Sequence, residues 1–567
     1  MRYHALATDY DGTLAHDGRV DEPTVAALRR LRESGRRLIL VTGRQLDDLQ
    51  RVFPEIELFE RVVAENGALL YCPESKEERV LADRPPDAFV QRLKAAGVAP
   101  ISVGRVIVAT WEPHETEVLA AIRDLGLESE VIFNKGAVMV LPAGVTKATG
   151  LAAALRELEL SPHNVVAVGD AENDHHLLKF CECGVAVANA VPALKERADW
   201  VTAADHGAGV TELIGRLIAS DLVDLAPRLV RHAIPIGRAG DGERCVQPYG
   251  VNVLLAGASG GGKSTFATGL IERIAERGYQ YCVIDPEGDF GDLACVRFGR
   301  ADQVPDVEQI IRLLEDPDES CVVSLLGITF DDRPRFFARL FPALLELRAR
   351  TGRPHWIFVD ETHHLLPAEH QPAETLLPPG LTGIAWITVY PDHVARAVLE
   401  LVDTVVAVGD TARETLHAFA RAVGAAAPTL PIPSLPKGEA VSWTWRAQPP
   451  EHIATIPPKT ERRRHTRKYA VGELPPEHSF YFRGPDGKLN LRAQNLSIFM
   501  QSADGVDDET WLFHLRRGDY SRWFREAIKD PELAEAARKI EHMTDRPPKE
   551  TRALVRRQIE TRYTAPA

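Results

Sequence analysis

Through the first 220 residues, short runs of consecutive apolar side chains alternate with stretches whose apolar positions recur every three or four residues. Runs such as Arg37-Leu38-Ile39-Leu40-Val41 and Asn164-Val165-Val166-Ala167-Val168 have strand rather than helix length and predict strands covered on both faces. The amphipathic stretches between them supply the covering helices, so the pattern is that of a doubly wound, largely parallel sheet. An insert over about 82–140 breaks it with a helix (86–96), a strand (101–110), a helix (113–125) and two short strands. Buried-strand runs return at 251–256, 281–284 and 355–359. From about 467 the style changes to a strand at 479–484, helical spacing over 489–504 and 508–516, and charged helices to about 563. The fold class is therefore α/β multidomain: a Rossmann-like core over 1–220 with a small α+β cap, a second α/β domain over 235–430, a linker over 431–466 and a mostly helical module over 467–567.

Composition sharpens this picture in three places. A hydrophobic content of 45% over 567 residues suits several soluble cores, and no apolar run reaches the roughly 18–20 residues of a membrane span. Seven scattered cysteines, an odd number, and a chain that enters a strand at Tyr3-His4-Ala5-Leu6-Ala7 without a signal-peptide core predict free thiols and a cytoplasmic setting. A net charge of −14 disfavours non-specific nucleic-acid binding by the chain as a whole. The one dense basic stretch, 459–468, follows prolines and reads as solvated linker.

Polar residues gather where the predicted strands of the first 220 residues end: Asp9 and Asp11, Thr42, and Asp170 and Asp174. In a parallel sheet these ends share one crevice. Several carboxylates there repel one another unless a divalent cation neutralises them, and oxygen ligands suit Mg2+. Asp9 can then attack phosphorus as an ionised nucleophile. Asp11 can protonate the leaving group and later activate water, and Thr42 and a lysine, Lys147, can hold the phosphoryl oxygens. The segments Asp9-Tyr10-Asp11-Gly12-Thr13-Leu14, Val41-Thr42-Gly43-Arg44, Glu65-Asn66-Gly67-Ala68, the 144–151 run with Lys147, and the 169–178 run resemble the haloacid dehalogenase (HAD) superfamily, type IIB (Cof-like) phosphatases. The resemblance implies Asp9 as nucleophile, Asp11 as acid/base, and Thr42 and Lys147 on the phosphate. It also implies Mg2+ held by Asp170 and Asp174, together with the Asp9 side chain and the Asp11 carbonyl. It implies a small phosphorylated metabolite as substrate, a sugar phosphate or phosphoglycolate among the choices.

Midway, the predicted strand 251–256 runs into Gly257-Ala258-Ser259-Gly260-Gly261-Gly262-Lys263-Ser264-Thr265 and a helix. That context makes the loop a phosphate cradle: backbone N–H groups wrap the phosphates, Lys263 reaches the β/γ oxygens and Ser264 ligates Mg2+. Asp360 and Glu361, after the strand 355–359, can hold the cation and polarise water. With Asp285-Pro286-Glu287-Gly288-Asp289-Phe290, these segments resemble the HerA/FtsK branch of P-loop ATPases, which implies ATP binding and hydrolysis. The sequence thus points to a phosphatase fused to an ATPase. Two alternatives stand beside it: a nucleic-acid-linked ATPase with an accessory phosphatase domain, ring assembly included, and a kinase opposing the phosphatase, with Asp285 as base.

Overall fold

The structure, a computed structural model, describes residues 1–134, 136–258, 260–368, 376–429, 435–436, 438–459, 474, 476–528, 530–543 and 545–563. The chain divides into two compact units, Met1–Lys459 and Thr460–Ala567. The basic run at 462–464 lies outside the described residues.

The first unit is built on two large sheets. Six strands of the N-terminal sheet are parallel, in the order Trp200–Val201, Cys183–Ala186, Val165–Gly169, Ala5–Thr8, Arg37–Val41, Arg61–Ala64. Leu69–Cys72 and Glu77–Val80 extend it antiparallel. The central strands are buried along their length because helices cover both faces, as their unbroken apolar runs require. Register brings Thr8 beside Val168 and Leu40, so Asp9, Asp170 and Thr42 leave the sheet at one edge.

The cap is a four-stranded sheet, ordered Ser102–Val103, Val108–Trp111, Ala137–Pro142, Ser129–Asn134, packed on the helices Asp87–Ala95 and Glu115–Asp124. The single strand expected over 101–110 is two strands. The cause is Glu65 of the core, whose carboxylate accepts the backbone N–H groups of Arg105, Val106 and Ile107 at 2.8, 2.8 and 2.9 Å. Those donors are taken from the ladder, and the chain turns back.

The second sheet has eleven strands. Its parallel part runs Thr404–Val408, Val253–Ala256, Ile384–Thr388, Trp356–Val359, Tyr281–Asp285, Cys321–Ser324, Val296–Phe298. An antiparallel edge follows: Glu439–Trp443, Glu451–Thr455, Ile234–Ala239, Gly242–Val246. Two of these strands fall inside the stretch expected as linker, 431–466. Ala440, Val441 and Trp443 are buried there, so the segment completes the core of the sheet rather than spanning between domains. Prolines near both ends had masked two short amphipathic runs.

The two sheets of this unit share a polar seam. His163, in the turn before Val165–Gly169, points Nδ1 at the Glu182 carboxylate (2.7 Å) and Nε2 at the Arg277 carbonyl (2.6 Å), which caps the helix Lys263–Glu276. Glu182 also receives Arg2 (2.6 Å) and the Tyr279 hydroxyl (2.7 Å), and Tyr279 stacks on His163 at 3.7 Å. Asn164 meets His355 and Tyr249 on the other side. Burial pushes the Glu182 carboxyl up, but the bond from His163 and the Arg2 charge outweigh it and hold the group at about 2.

Among the described residues, the C-terminal unit packs a short hairpin, Phe480–Phe482 with Leu491–Ala493, against five helices through an aromatic core that includes Phe499, Trp511, Tyr520 and Phe524. The helix expected over 489–504 starts only at Leu496, where the Asn495 side chain accepts the Ile498 N–H and caps it; the residues before it pair as the second strand.

Candidate active sites

The first crevice lies at the edge where Asp9, Thr42 and Asp170 leave their strands. Asp9, Asp170 and Asp174 are buried, and their carboxylate oxygens lie within 4.8 Å of one another. Lys147, 1% exposed, bridges two of them, with Nζ 2.6 Å from Asp9 Oδ1 and 2.6 Å from Asp174 Oδ1. Asp174 Oδ2 accepts the N–H groups of Asp170 and Ala171, and Asp170 accepts the Thr13 hydroxyl at 3.1 Å.

Local chemistry delivers each group. Lys147 opens the helix Lys147–Glu157, whose Thr146 and Thr149 form a reciprocal capping box that fixes the first turn. That helix start presses on the turn after Arg61–Ala64: a Cβ at Gly67 would lie 1.9 Å from the Thr146 carbonyl oxygen, so only glycine fits. Thr42 is fully buried, its hydroxyl accepting the Arg44 N–H at 3.1 Å. Arg44 grips both oxygens of Asp11 at 2.6 Å and reaches Asp48 at 2.5 Å. Asn173 donates to Asn66 at 3.1 Å, tying the 172–174 turn to the cap-side turn.

Electrostatics favour a cation here. Burial pushes the Asp9 carboxyl up; Lys147 opposes this, the Asp174 and Asp170 charges add to it, and the group stands at about 8. Burial works against the charged form of Lys147 too, but Asp174 and Asp9 more than restore it, so its pKa is raised. One lysine cannot balance three buried carboxylates. The set of oxygen donors fits a hard divalent cation, whose binding would let Asp9 ionise near neutrality.

The second site sits at the carboxyl edge of the eleven-stranded sheet. Gly257 follows Val253–Ala256 with φ 152°, where a Cβ would meet the Val408 carbonyl oxygen at 2.2 Å. Gly260 and Gly262 also take positive φ, Gly261 packs against the Val408–Gly409 backbone, and the helix Lys263–Glu276 starts directly after. Lys263 Nζ donates to the Gly257 and Ala258 carbonyls at 2.8 and 3.2 Å. Ser264 is buried at the helix start and Thr265 exposed beside it.

Asp360 leaves the strand Trp356–Val359 two strands away. Burial, then the charges of Glu361, Asp285 and Glu287, push its carboxyl well above the ordinary range, and its Oδ2 is buried with no hydrogen-bond partner among the described residues. An orphaned carboxylate oxygen among acids fits a bound cation. Glu361 follows with φ 45° and lies 3.4 Å from His363 Nδ1. Asp285, by contrast, accepts the Asp289 and Phe290 N–H groups at 2.9 Å and serves as the brace of its own turn.

Three residues escaped sequence reasoning. Glu65 was visible only as part of a motif; its bonds to the cap connect positions about 40 apart in the chain. Arg44 was visible as charge, but its hold on Asp11 was not. Thr388, at the end of Ile384–Thr388, has a buried hydroxyl 3.1 Å from His363 Nδ1, a polar strand end hidden by the apolar Trp386-Ile387 before it.

Two family models match the chain, at separate stretches. A haloacid dehalogenase-like hydrolase family model matches residues 6–95 and 103–214, and the model "Helicase HerA, central domain" matches 252–332. A protein named phosphoglycolate phosphatase from Methanothermobacter thermautotrophicus is 34% identical over 225 residues, 38% of this chain and 98% of its own. One of the same name from Haloarcula marismortui is 33% identical over 37% of this chain and 95% of its own. A solved haloacid dehalogenase-like hydrolase from Bacteroides thetaiotaomicron is 20% identical over 38% of this chain and 99% of its own, with a TM-score of 0.35.

Proposed function

Through its N-terminal sheet and cap the chain belongs to the haloacid dehalogenase-like hydrolases, and on that premise we propose that it is a Mg2+-dependent phosphomonoester hydrolase joined to an ATP-hydrolysing domain. The observation that carries this reading is the buried Asp9–Lys147–Asp174 bridge beside Asp170. In this reading Asp9 serves as nucleophile, Lys147 as phosphate-binding cation and Asp170 with Asp174 as metal-ligating pair, and their closeness supports it.

Asp9, Asp170 and Asp174, with the Asp11 carbonyl, are the residues that would hold Mg2+; when bound, it supplies charge neutralisation for the carboxylates and the phosphoryl group. An Asp9 carboxylate oxygen attacks phosphorus and the P–O bond to the alcohol breaks, leaving an aspartyl-phosphate. Asp11 gives its proton to the departing alkoxide oxygen. It then accepts a proton from water as the water oxygen attacks phosphorus, which releases phosphate and restores Asp9. Thr42 donates its hydroxyl, and Lys147 its ammonium, to the phosphoryl oxygens. Arg44 holds Asp11 by both oxygens, so Asp11 works only when that fork loosens or the carboxylate turns within it.

The substrate class is a small organic phosphomonoester. The names of the relatives make 2-phosphoglycolate the first compound to test, with sugar phosphates beside it. In the second site, backbone N–H groups from Gly257 to Gly262, with Lys263, Ser264 and Thr265, cradle the nucleotide; Ser264 and Asp360 would hold its Mg2+ and Glu361 orients water. A cytoplasmic setting with a phosphorylated metabolite and ATP as ligands belongs to this reading.

The test is phosphate release from 2-phosphoglycolate, a sugar-phosphate panel and ATP in Mg2+, for the parent, Asp9→Asn and Lys263→Ala. The expected result is that Asp9→Asn loses monoester turnover by at least 1000-fold and keeps ATP turnover, and Lys263→Ala does the reverse. Monoester turnover that survives Asp9→Asn would sink the assignment.

A further inference from the structure

The C-terminal unit holds a cavity of about 670 Å³ that neither phosphate site accounts for. Three arginines from three segments converge on it: Arg483 after the first hairpin strand, Arg517 at the end of the helix Asp508–Arg516, and Arg522 in the helix Asp519–Glu526. Their charges are poorly matched. Asp519 faces two of them at 3.5 Å (Arg517) and 3.4 Å (Arg522), and its shorter bond, 2.8 Å, goes to His514. Arg483 has no carboxylate partner among the described residues. Elsewhere in the unit, basic side chains find acids at close range: Lys488 with Glu509 at 2.7 Å, Arg538 with Glu535 at 3.0 Å, and Arg552 with Asp508. Charge-assisted pairs normally close to 2.7–2.9 Å, so Asp519 engages Arg517 and Arg522 only at long range, while Arg522 also donates to the Arg517 carbonyl at 3.3 Å and Glu526 adds a second carboxylate to the lining.

The surroundings fix these groups in position. His514, 5% exposed, accepts the Arg483 backbone N–H on Nε2 at 3.0 Å and therefore donates from Nδ1 to the Asp519 carboxylate at 2.8 Å, so one buried ring ties the hairpin to both helices. The Arg483 and Arg517 guanidinium carbons lie 5.4 and 5.0 Å from the Tyr481 and Phe513 ring centroids. Both rings are half-buried and line the cavity with Trp523. Charge is also distributed unevenly along the chain: residues 460–567 carry 21 Lys and Arg against 17 Asp and Glu, although the whole chain is −14. Forked cations, aromatic faces and a volume suited to a nucleotide-sized guest occur together.

We propose that this cavity is a nucleotide-binding site separate from the ATP cradle, in which Arg483, Arg517 and Arg522 take the phosphate and the Tyr481–Phe513–Trp523 wall takes the base. The nucleotide comes either free or as part of a single strand, and the test distinguishes the two sources.

The full chain carrying Lys263→Ala, in EDTA so that no monoester is consumed, is titrated into a fluorescent ten-residue thymidine oligonucleotide and followed by anisotropy. AMP and inorganic phosphate serve as competitors. Binding weakened at least tenfold by Arg517→Ala/Arg522→Ala and by Arg483→Ala is expected, with a salt slope reduced by about one per arginine removed. Arg517→Lys/Arg522→Lys keeps charge and loses the fork, and should fall between the two, which covers the case of an alanine variant that misfolds. Arg516→Ala, an exposed neighbour outside the cavity, should bind like the parent. Displacement of the strand by AMP assigns a free nucleotide; resistance to AMP assigns the strand. No binding of oligonucleotide or AMP by the parent, equal binding by the cavity variants, or an equal loss in Arg516→Ala would overturn the proposal.

Discussion

Glu65 shows how much one buried carboxylate can organise. It is fully buried, sits at φ 51°, and satisfies three cap N–H groups at once. Glu65→Ala leaves those donors unpaired in a dry site, at about 1–3 kcal/mol per group before relaxation. The expected outcome is a cap that no longer seats: KM for the monoester rises at least tenfold while the melting temperature drops, and Glu65→Gln recovers part of both. An unchanged KM in Glu65→Ala would mean the contact does not position the cap. At the first crevice, Asp9 at about 8 makes metal binding compete with a proton. Mg2+ is therefore expected to raise the melting temperature more at pH 8.5 than at pH 5.5, and Asp174→Asn to remove most of that gain, as thermal melts with and without EDTA will show. Arg44→Lys keeps a charge near Asp11 but loses the fork that must loosen before Asp11 can work, and a several-fold rise in turnover in the phosphate-release assay is its expected signature.

At the scale of elements, the sites rest on how helices begin. The helix Lys147–Glu157 starts in a capping box, and Thr146→Ala removes one half of it at a cost of about 1 kcal/mol. Because Lys147 is the first residue of that helix, fraying there should also lower monoester turnover, whereas ATP turnover stays put; both are read in the phosphate-release assay. In the Gly257–Gly262 loop the constraint is steric rather than polar. Gly257→Ala drives a Cβ into the Val408 carbonyl and should abolish ATP turnover while the monoester reaction persists. Core strands such as Arg37–Val41, Val165–Gly169, Val253–Ala256, Tyr281–Asp285 and Trp356–Val359 were legible from their apolar runs, since a strand buried on both faces must be apolar throughout. The strands at Glu439–Trp443 and Glu451–Thr455 and the hairpin at Leu491–Ala493 were not, because each is short and its partner lies elsewhere in the chain.

At the scale of the whole molecule, the seam through His163, Glu182, Arg2 and Tyr279 places the end of the helix Lys263–Glu276 against the turn that leads into Val165–Gly169, the strand that Asp170 follows. The Glu182 carboxyl is held at about 2, below its ordinary 4.5. A depressed acid stabilises the folded state above its unfolded pKa and loses that contribution as pH falls through the folded value. Glu182→Gln should therefore lower the melting temperature at pH 7, and the difference from the parent should shrink between about pH 4.5 and pH 2. A pH-independent difference would mean the seam is held by packing rather than by this charge.

Sequence alone determined the ingredients of both sites. Asp9, Thr42, Asp170 and Asp360 had to sit at strand ends because apolar runs stop immediately before them, and the glycines around Lys263 had to be a loop because few other residues reach that backbone. Tertiary structure alone decided which groups meet. The Lys147 bridge spans 138 positions to Asp9, Glu65 reaches 40 or more into the cap, and His163 reaches 114 to Arg277. Periodicity and local propensity carry no information about such pairs. They are selected only when packing the sheets, cap and helices leaves each buried charge a single place to find its partner.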